Sequence, residues 1–148
     1  MAFTKTSLGN GWSKLSETSA ALAAGEDVSV TSSAITGDMI NDLAKAGSYM
    51  LEVFISNVGT VVADTSIHGV QSDESTYQSI ATDVIDNQSQ NTTKLYKVDS
   101  GVSSPGIKFD TTKDSGTGAA LVTWSVVYWD GGPNQSDVTF GGVGADPS

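Results

Sequence analysis

The sequence has no cysteine, no arginine, a single histidine and three prolines in 148 residues. Without cysteine there is no disulfide framework and no thiolate metal centre, and one imidazole cannot supply the paired histidines of an ordinary zinc site. Without arginine there is no bidentate fork for guanine or phosphate. The seven cations, all lysine, stand against 17 Asp and Glu, for a net charge of −10. That balance excludes a nucleic-acid partner and disfavours an anionic membrane surface, since both are held by neutralising phosphates. No apolar run approaches the roughly 20 residues of a spanning helix. The opening Met1-Ala2-Phe3-Thr4-Lys5 lacks a basic region followed by an apolar stretch, so synthesis in a cytoplasm, without a secretory signal, is expected.

What is abundant is small and hydroxylated: 21 Ser and 16 Thr, with 16 Gly, while charged residues reach only 16%. Thr and Val suit pleated, half-buried backbone, and spread glycines suit tight connections. The expected fold is all-β, a single-domain β-sandwich or jelly roll of about seven or eight antiparallel strands with one short helix. Its parts are an N-terminal arm or edge segment over 1–24, a β-sandwich domain over 25–140, and a flexible C-terminal tail over 141–148.

Alternation predicts a strand from Ser48 to Ser56, with Tyr49, Leu51, Val53 and Ile55 on one face. A second follows from Val61 to His68, and the two read as a hairpin. The run Ala119 to Trp129 is largely apolar on both faces, as in a central strand covered on both sides or closed by a partner subunit. Shorter strands are expected at Asp27 to Thr31, Lys94 to Val98, Gly106 to Phe109 and Val138 to Phe140. A helix is expected at Asp38 to Ala46, plugging one end, with acid in its first turn, Lys45 in its last and Gly47 as its stop. Residues 75–86 fit helix and strand equally, because Tyr77, Ile80, Ala81, Val84 and Ile85 have helical spacing but β-branched residues recur among them.

Chemistry-bearing patterns are few. Asp64, Ser66 and His68 have the residue types of a nucleophilic triad, but alternate strand residues lie about 7 Å apart with parallel side chains, whereas a triad needs convergent bonds near 3 Å. They read as a polar strand face. Acidic pairs occur at Asp73-Glu74, Asp83 with Asp86, and Asp110 with Asp114; the last lies in a stretch read as a loop ending at Gly116, where calcium is conceivable but Lys113 opposes it. Gly9-Asn10-Gly11 is a turn, not a phosphate loop. Asn87-Gln-Ser, Asn91-Thr-Thr and Asn134-Gln-Ser fit the glycosylation triplet at a frequency this Ser/Thr content produces by chance. No catalytic, cofactor-binding or metal-ligating residue is assigned. Trp12, Trp124, Trp129, Tyr77, Tyr96 and Tyr128 could offer a sugar-stacking platform, for which a coplanar exposed pair among Trp12, Tyr96 and Trp129 would be the mark.

With its opening Met1-Ala2-Phe3-Thr4-Lys5-Thr6, its Ser/Thr/Gly/Ala/Asp-rich composition, its lack of Cys and Arg, and its long strand ending Val126-Val127-Tyr128-Trp129-Asp130-Gly131, the chain resembles small virion proteins of tailed bacteriophages: capsid decoration (cement) and head-fibre proteins. The resemblance implies a non-enzymatic protein on the capsid exterior that docks on the major capsid protein lattice and stabilises it by mass action, as a homo-oligomer such as a trimer. The contact residues expected for capsid or subunit are Phe3, Leu8, Trp12, Leu15 and Trp129. The alternative is a carbohydrate- or host-surface-binding β-sandwich module.

Overall fold

Alternation of apolar and polar side chains folds this chain into two facing antiparallel sheets. The computed structural model describes residues 2–19, 22–25, 27–57, 60–89, 93–98 and 105–131. Among them run β1 (Thr4–Gly9), β2 (Trp12–Thr18), β3 (Ser29–Thr31), β4 (Ile35–Thr36), α1 (Gly37–Ala46), β5 (Tyr49–Asn57), β6 (Val62–Val70), β7 (Tyr77–Ser89), β8 (Thr93–Val98), β9 (Gly106–Ser115) and β10 (Ala120–Trp129). One sheet has the order β1-β2-β10-β5-β8; the other has β3-β9-β6-β7, with β4 also paired to β9. The β-sandwich and the short helix are as expected, with ten strands among the described residues in place of seven or eight. The expected strand at Val138 to Phe140 and the tail at 141–148 lie outside the described residues.

The core is one continuous cluster between the sheets. Leu15, Leu51, Val53, Ile55, Val122, Trp124, Val126 and Tyr128 come from the first sheet, and Ala63, Ile67, Ile85, Ile107 and Phe109 from the second, all essentially solvent-free. Inside it, the indole N–H of Trp124 donates to Thr111 Oγ1 at 2.9 Å, and the Thr111 and Thr65 hydroxyls bond each other at 2.8 Å. The helix buries Ile40 and Leu43, packs against β4, β9 and β10, and ends where Gly47 takes a left-handed φ of 79° and returns its N–H to Leu43 O. At that end Lys5 Nζ bridges Asp42 of the helix at 3.1 Å and Asp130 at 3.2 Å. These partners, Asp42 foremost, hold the Lys5 ammonium above its ordinary pKa.

Three expectations are corrected. First, of the arm or edge segment expected over 1–24, the described residues 2–19 supply an edge strand, β1, and an interior strand, β2, between β1 and β10, and Phe3 and Leu15 are core residues, at 5% and 0% exposure, in place of contact residues. The two strands are joined by Asn10-Gly11, both with positive φ (56° and 87°), the two-residue turn whose twist matches a hairpin. Second, β5 and β6 do not pair, because each lies in a different sheet and they present their apolar faces to each other across the core. Third, the stretch Asp110 to Ser115 is strand, not loop. Asp110 and Asp114 therefore stand about 13 Å apart along β9, and Lys113 points inward, 1% exposed, with its amine on Gly118 O at 3.2 Å.

The ambiguous 75–86 stretch is strand from Tyr77 onward, with a physical reason for its helical spacing. Ala63, Thr65 and Ile67 of β6 face Gln88, Ile85 and Ala81 of β7, so β7 advances three and four residues for every two of β6. The extra residues form bulges holding Asp83 and Asn87 at positive φ. Their N–H groups are taken by β6: Asp83 N–H donates to Ser66 Oγ at 3.1 Å and Asn87 N–H to Asp64 Oδ1 at 2.8 Å.

The β6–β7 connection is fixed by Asp73, whose carboxylate accepts the Thr76 hydroxyl and the N–H groups of Thr76 and Ser75. These bonds, the Thr76 hydroxyl first, pull its pKa down to about 2. A depressed carboxyl favours the folded state above its unfolded pKa of about 4 and loses that contribution as pH falls through the folded value. A carboxyl NMR titration should therefore show Asp73 titrating near 2, and Thr76→Val should move it back towards the ordinary range.

Candidate functional site

The outward face of the first sheet carries the site. Strict alternation on β2, β10 and β5 turns Trp12, Lys14, Ser16 and Thr18, then Trp129, Val127, Ser125, Thr123 and Leu121, then Met50, Glu52 and Phe54 away from the core. Pairing sets Trp12 opposite Trp129, and their rings meet edge to face, with centroids 5.4 Å apart and planes at 76°. The Asn10-Gly11 turn seats the second ring: a Cβ on Gly11 would lie 2.6 Å from the Trp129 ring, so only glycine lets the indole lie down on the turn. Asp130 and Gly131 N–H groups then close onto Gly11 O at 2.7 and 3.0 Å, fixing the end of β10 under the indoles.

Beside the indoles opens a groove of about 220 Å³, lined by Trp12, Trp129, Val127, Met50, Tyr49 and Ser48. Burial of Tyr49 pushes its phenol up to about 12, so it stays a neutral part of the lining. Along the same face, away from the groove, hydroxyls pair between β2 and β10: Ser16 with Ser125 at 3.1 Å and Thr18 with Thr123 at 2.8 Å. Trp12, Phe54 and Leu121 remain large exposed apolar groups, at 41%, 38% and 47%.

Of the expected contact residues, the structure brings Trp12 and Trp129 together and leaves Leu8 exposed on β1. Phe3 and Leu15 are withdrawn from any contact surface by burial, and Phe3 instead meets Phe109 edge-on at 6.0 Å. Among the aromatics considered for stacking, Trp124 and Tyr128 are fully buried, Tyr77 lies on the other sheet under the Lys108 amine, and the side chain of Tyr96 lies outside the described residues. The exposed pair is a right-angled corner, not a coplanar platform. Phe54 was not foreseen; its signal is an aromatic at an outward position of an alternating strand.

The Asp64, Ser66 and His68 face has a structural use. Asp64 and Ser66 cap the β7 bulges, and His68 Nε2 lies 3.9 Å from Asp110 Oδ2. Partial burial foremost, with Asp86 and Asp83 nearby, raises the Asp64 carboxyl pKa against the opposing Asn87 N–H. Among the described residues no group of three His, Cys, Asp or Glu side chains is arranged to hold a metal ion.

No protein-family model and no curated protein matches the sequence. Among solved structures, the chain is similar to a mutant of CBM29-2, a family 29 carbohydrate-binding module, at TM-score 0.33 and 16% identity over 86% of this chain and 71% of that one. It is similar to a CBM4 structure at TM-score 0.34 and 11% identity, over 80% of this chain and 82% of that one. A second CBM29-2 mutant follows at TM-score 0.29 and 18% identity, over 86% and 76%. Overlaps of this size transfer no residue role and no ligand.

Proposed function

We propose that this protein is a carbohydrate-binding β-sandwich domain that holds sugar against the Trp12–Trp129 corner without transforming it. The observation that carries this is the open groove beside two near-perpendicular indoles on the outward face of the first sheet. At about 220 Å³ it is smaller than the roughly 300–1,000 Å³ pockets of drug-sized ligands, so it suits a small flat group such as one sugar ring. Indoles offer broad apolar faces for the C–H face of a pyranose, with an N–H at the edge for its hydroxyls. Ser48 adds a polar group to the lining.

The test is titration with soluble β-1,4-linked glucose, mannose and xylose oligomers, read by tryptophan fluorescence and calorimetry. At least one series should bind, and Trp12→Ala should weaken it by about tenfold or more while leaving the melting temperature almost unmoved, because Trp12 is 41% exposed. Failure of every series to bind overturns the proposal.

A second reading, decoration of a phage capsid lattice, draws on the exposed Leu8 and Trp12 of the β1–β2 hairpin as docking groups. Its test is co-sedimentation of the purified protein with assembled capsids, which Leu8→Ser should weaken and which added oligosaccharide should not displace.

A further inference from the structure

The groove accounts for only one end of the outward face, and the rest of that face has a pattern of its own. Moving along β10 from Trp129, the face passes Val127, then the Ser16–Ser125 hydroxyl pair, then the Thr18–Thr123 pair, and ends at Leu121. On the neighbouring strand Phe54 stands directly opposite Thr123. The surface is therefore aromatic at one end, hydroxylated in the middle and aromatic again at the other end. From Trp129 to Thr123 is six strand residues, about 20 Å, which an extended chain of about four pyranose rings spans.

Charge narrows the ligand further. The protein carries −10 overall, yet on the outward positions of β2, β10 and β5 there is one lysine, Lys14, and one glutamate, Glu52. On these three strands the two charges cancel, so the stretch from the indoles to Phe54 offers an anionic sugar polymer no net attraction within an acidic protein. The Thr18–Thr123 pair is open to a sugar hydroxyl, whereas Ser125 is only 4% exposed, so in the Ser16–Ser125 pair the reachable hydroxyl is that of Ser16. A protein strand laid here would need apolar continuity between the two aromatic ends, and the middle of the face is Ser and Thr.

Resting on the reading of the groove as a sugar site, we infer that the site extends along β10 to a second anchor at Phe54, so that it takes an extended, uncharged oligosaccharide of about four or more rings. The indole corner holds one end, and Phe54 with Leu121 stacks a ring about three units further on. A straight β-1,4-linked ribbon can follow the strand between them, whereas a coiled α-1,4-linked glucan leaves the face after the first ring or two.

The experiment is a length series, from two to six rings, of whichever β-1,4-linked series binds, alongside α-1,4-linked glucose oligomers, on the wild type, Phe54→Ala, Phe54→Tyr and Trp12→Ala. Affinity should climb up to about four rings and then level off. Phe54→Ala should cost about tenfold with the four- to six-ring oligomers and nothing with the disaccharide. Phe54→Tyr should restore the loss, and Trp12→Ala should weaken every length. Melting temperatures within a few degrees of wild type exclude a folding defect. If the disaccharide binds as tightly as the hexasaccharide, or Phe54→Ala is silent at all lengths, the extended site is wrong while the indole groove stands. If the α-1,4-linked series gains as much with length, the straight course along β10 is wrong. If no oligomer of any length binds, the sugar reading itself falls.

Discussion

Gly116→Ala is expected to lower the unfolding free energy by about 3 kcal/mol, seen in urea as an earlier midpoint with an unchanged slope. Gly116 turns the chain from β9 into β10 with φ at +96°, and a Cβ there would lie 2.0 Å from Thr60 O and 2.5 Å from its carbonyl carbon. The obstruction is backbone and cannot rotate away. Thr60 is pinned from its own side, since its N–H donates to Thr117 O at 3.0 Å and its hydroxyl accepts from Thr117 N–H at 3.1 Å. Relief would therefore break the clasp between this turn and the start of β6. Gly47→Ala is the comparison: φ is +79° but nothing lies within 4 Å, so only the left-handed strain of about 1 kcal/mol applies. Equal costs for the two substitutions would show that the Thr60 contact relaxes freely.

Trp124→Ala is expected to cost about 4 kcal/mol, the largest effect of any single truncation in the core. Trp124 heads the fully buried side chains, at the middle of the central strand, and its N–H is bound to Thr111, which in turn bonds Thr65. Truncation removes apolar contact and leaves a cavity, and it also strips the donor from a buried threonine pair. Trp124→Phe separates the two contributions: it keeps most of the ring and should cost about 1–2 kcal/mol, chiefly the lost hydrogen bond. A Trp124→Phe cost equal to that of Trp124→Ala would mean that the indole N–H, not the volume, carries the stability.

Much of this architecture is written in local pattern. The strict alternation of residues 49–57 and 120–129 gave both central strands within a residue or two, and the helix followed from its acid, its lysine and its stop glycine. The first hairpin was missed although Asn10-Gly11 announces it, because Thr4–Gly9 is exposed at every position and offers no apolar period. In β7 the period itself misleads: each bulge inserts residues, so inward positions fall at 81, 85 and 88, close to the spacing of a helix face. The mistaken β5–β6 hairpin has a different cause, since two adjacent strands with apolar faces look alike whether they pair side by side or face each other across a core. As for the site, Trp12 and Trp129 could be named from sequence, but their corner depends on a register between residues 117 positions apart. Phe54 joins them only through β10, which lies between β2 and β5.

The bulges of β7 also bear on what the edge of the second sheet offers to another strand. Among the described residues β7 is the longest strand, at 13 residues, and it lies at the rim of its sheet. A flat rim of that length, with Ile80 63% exposed, would present a row of open N–H and C=O groups as a template for another chain. Asp83 and Asn87 interrupt that row twice: each kinks the backbone through positive φ, and each turns its N–H back to a side chain of β6. Asp83 and Asp86 add negative charge along the same rim. The irregularity that disguises this strand in the sequence thus also breaks the continuous register that an added strand would need along this edge.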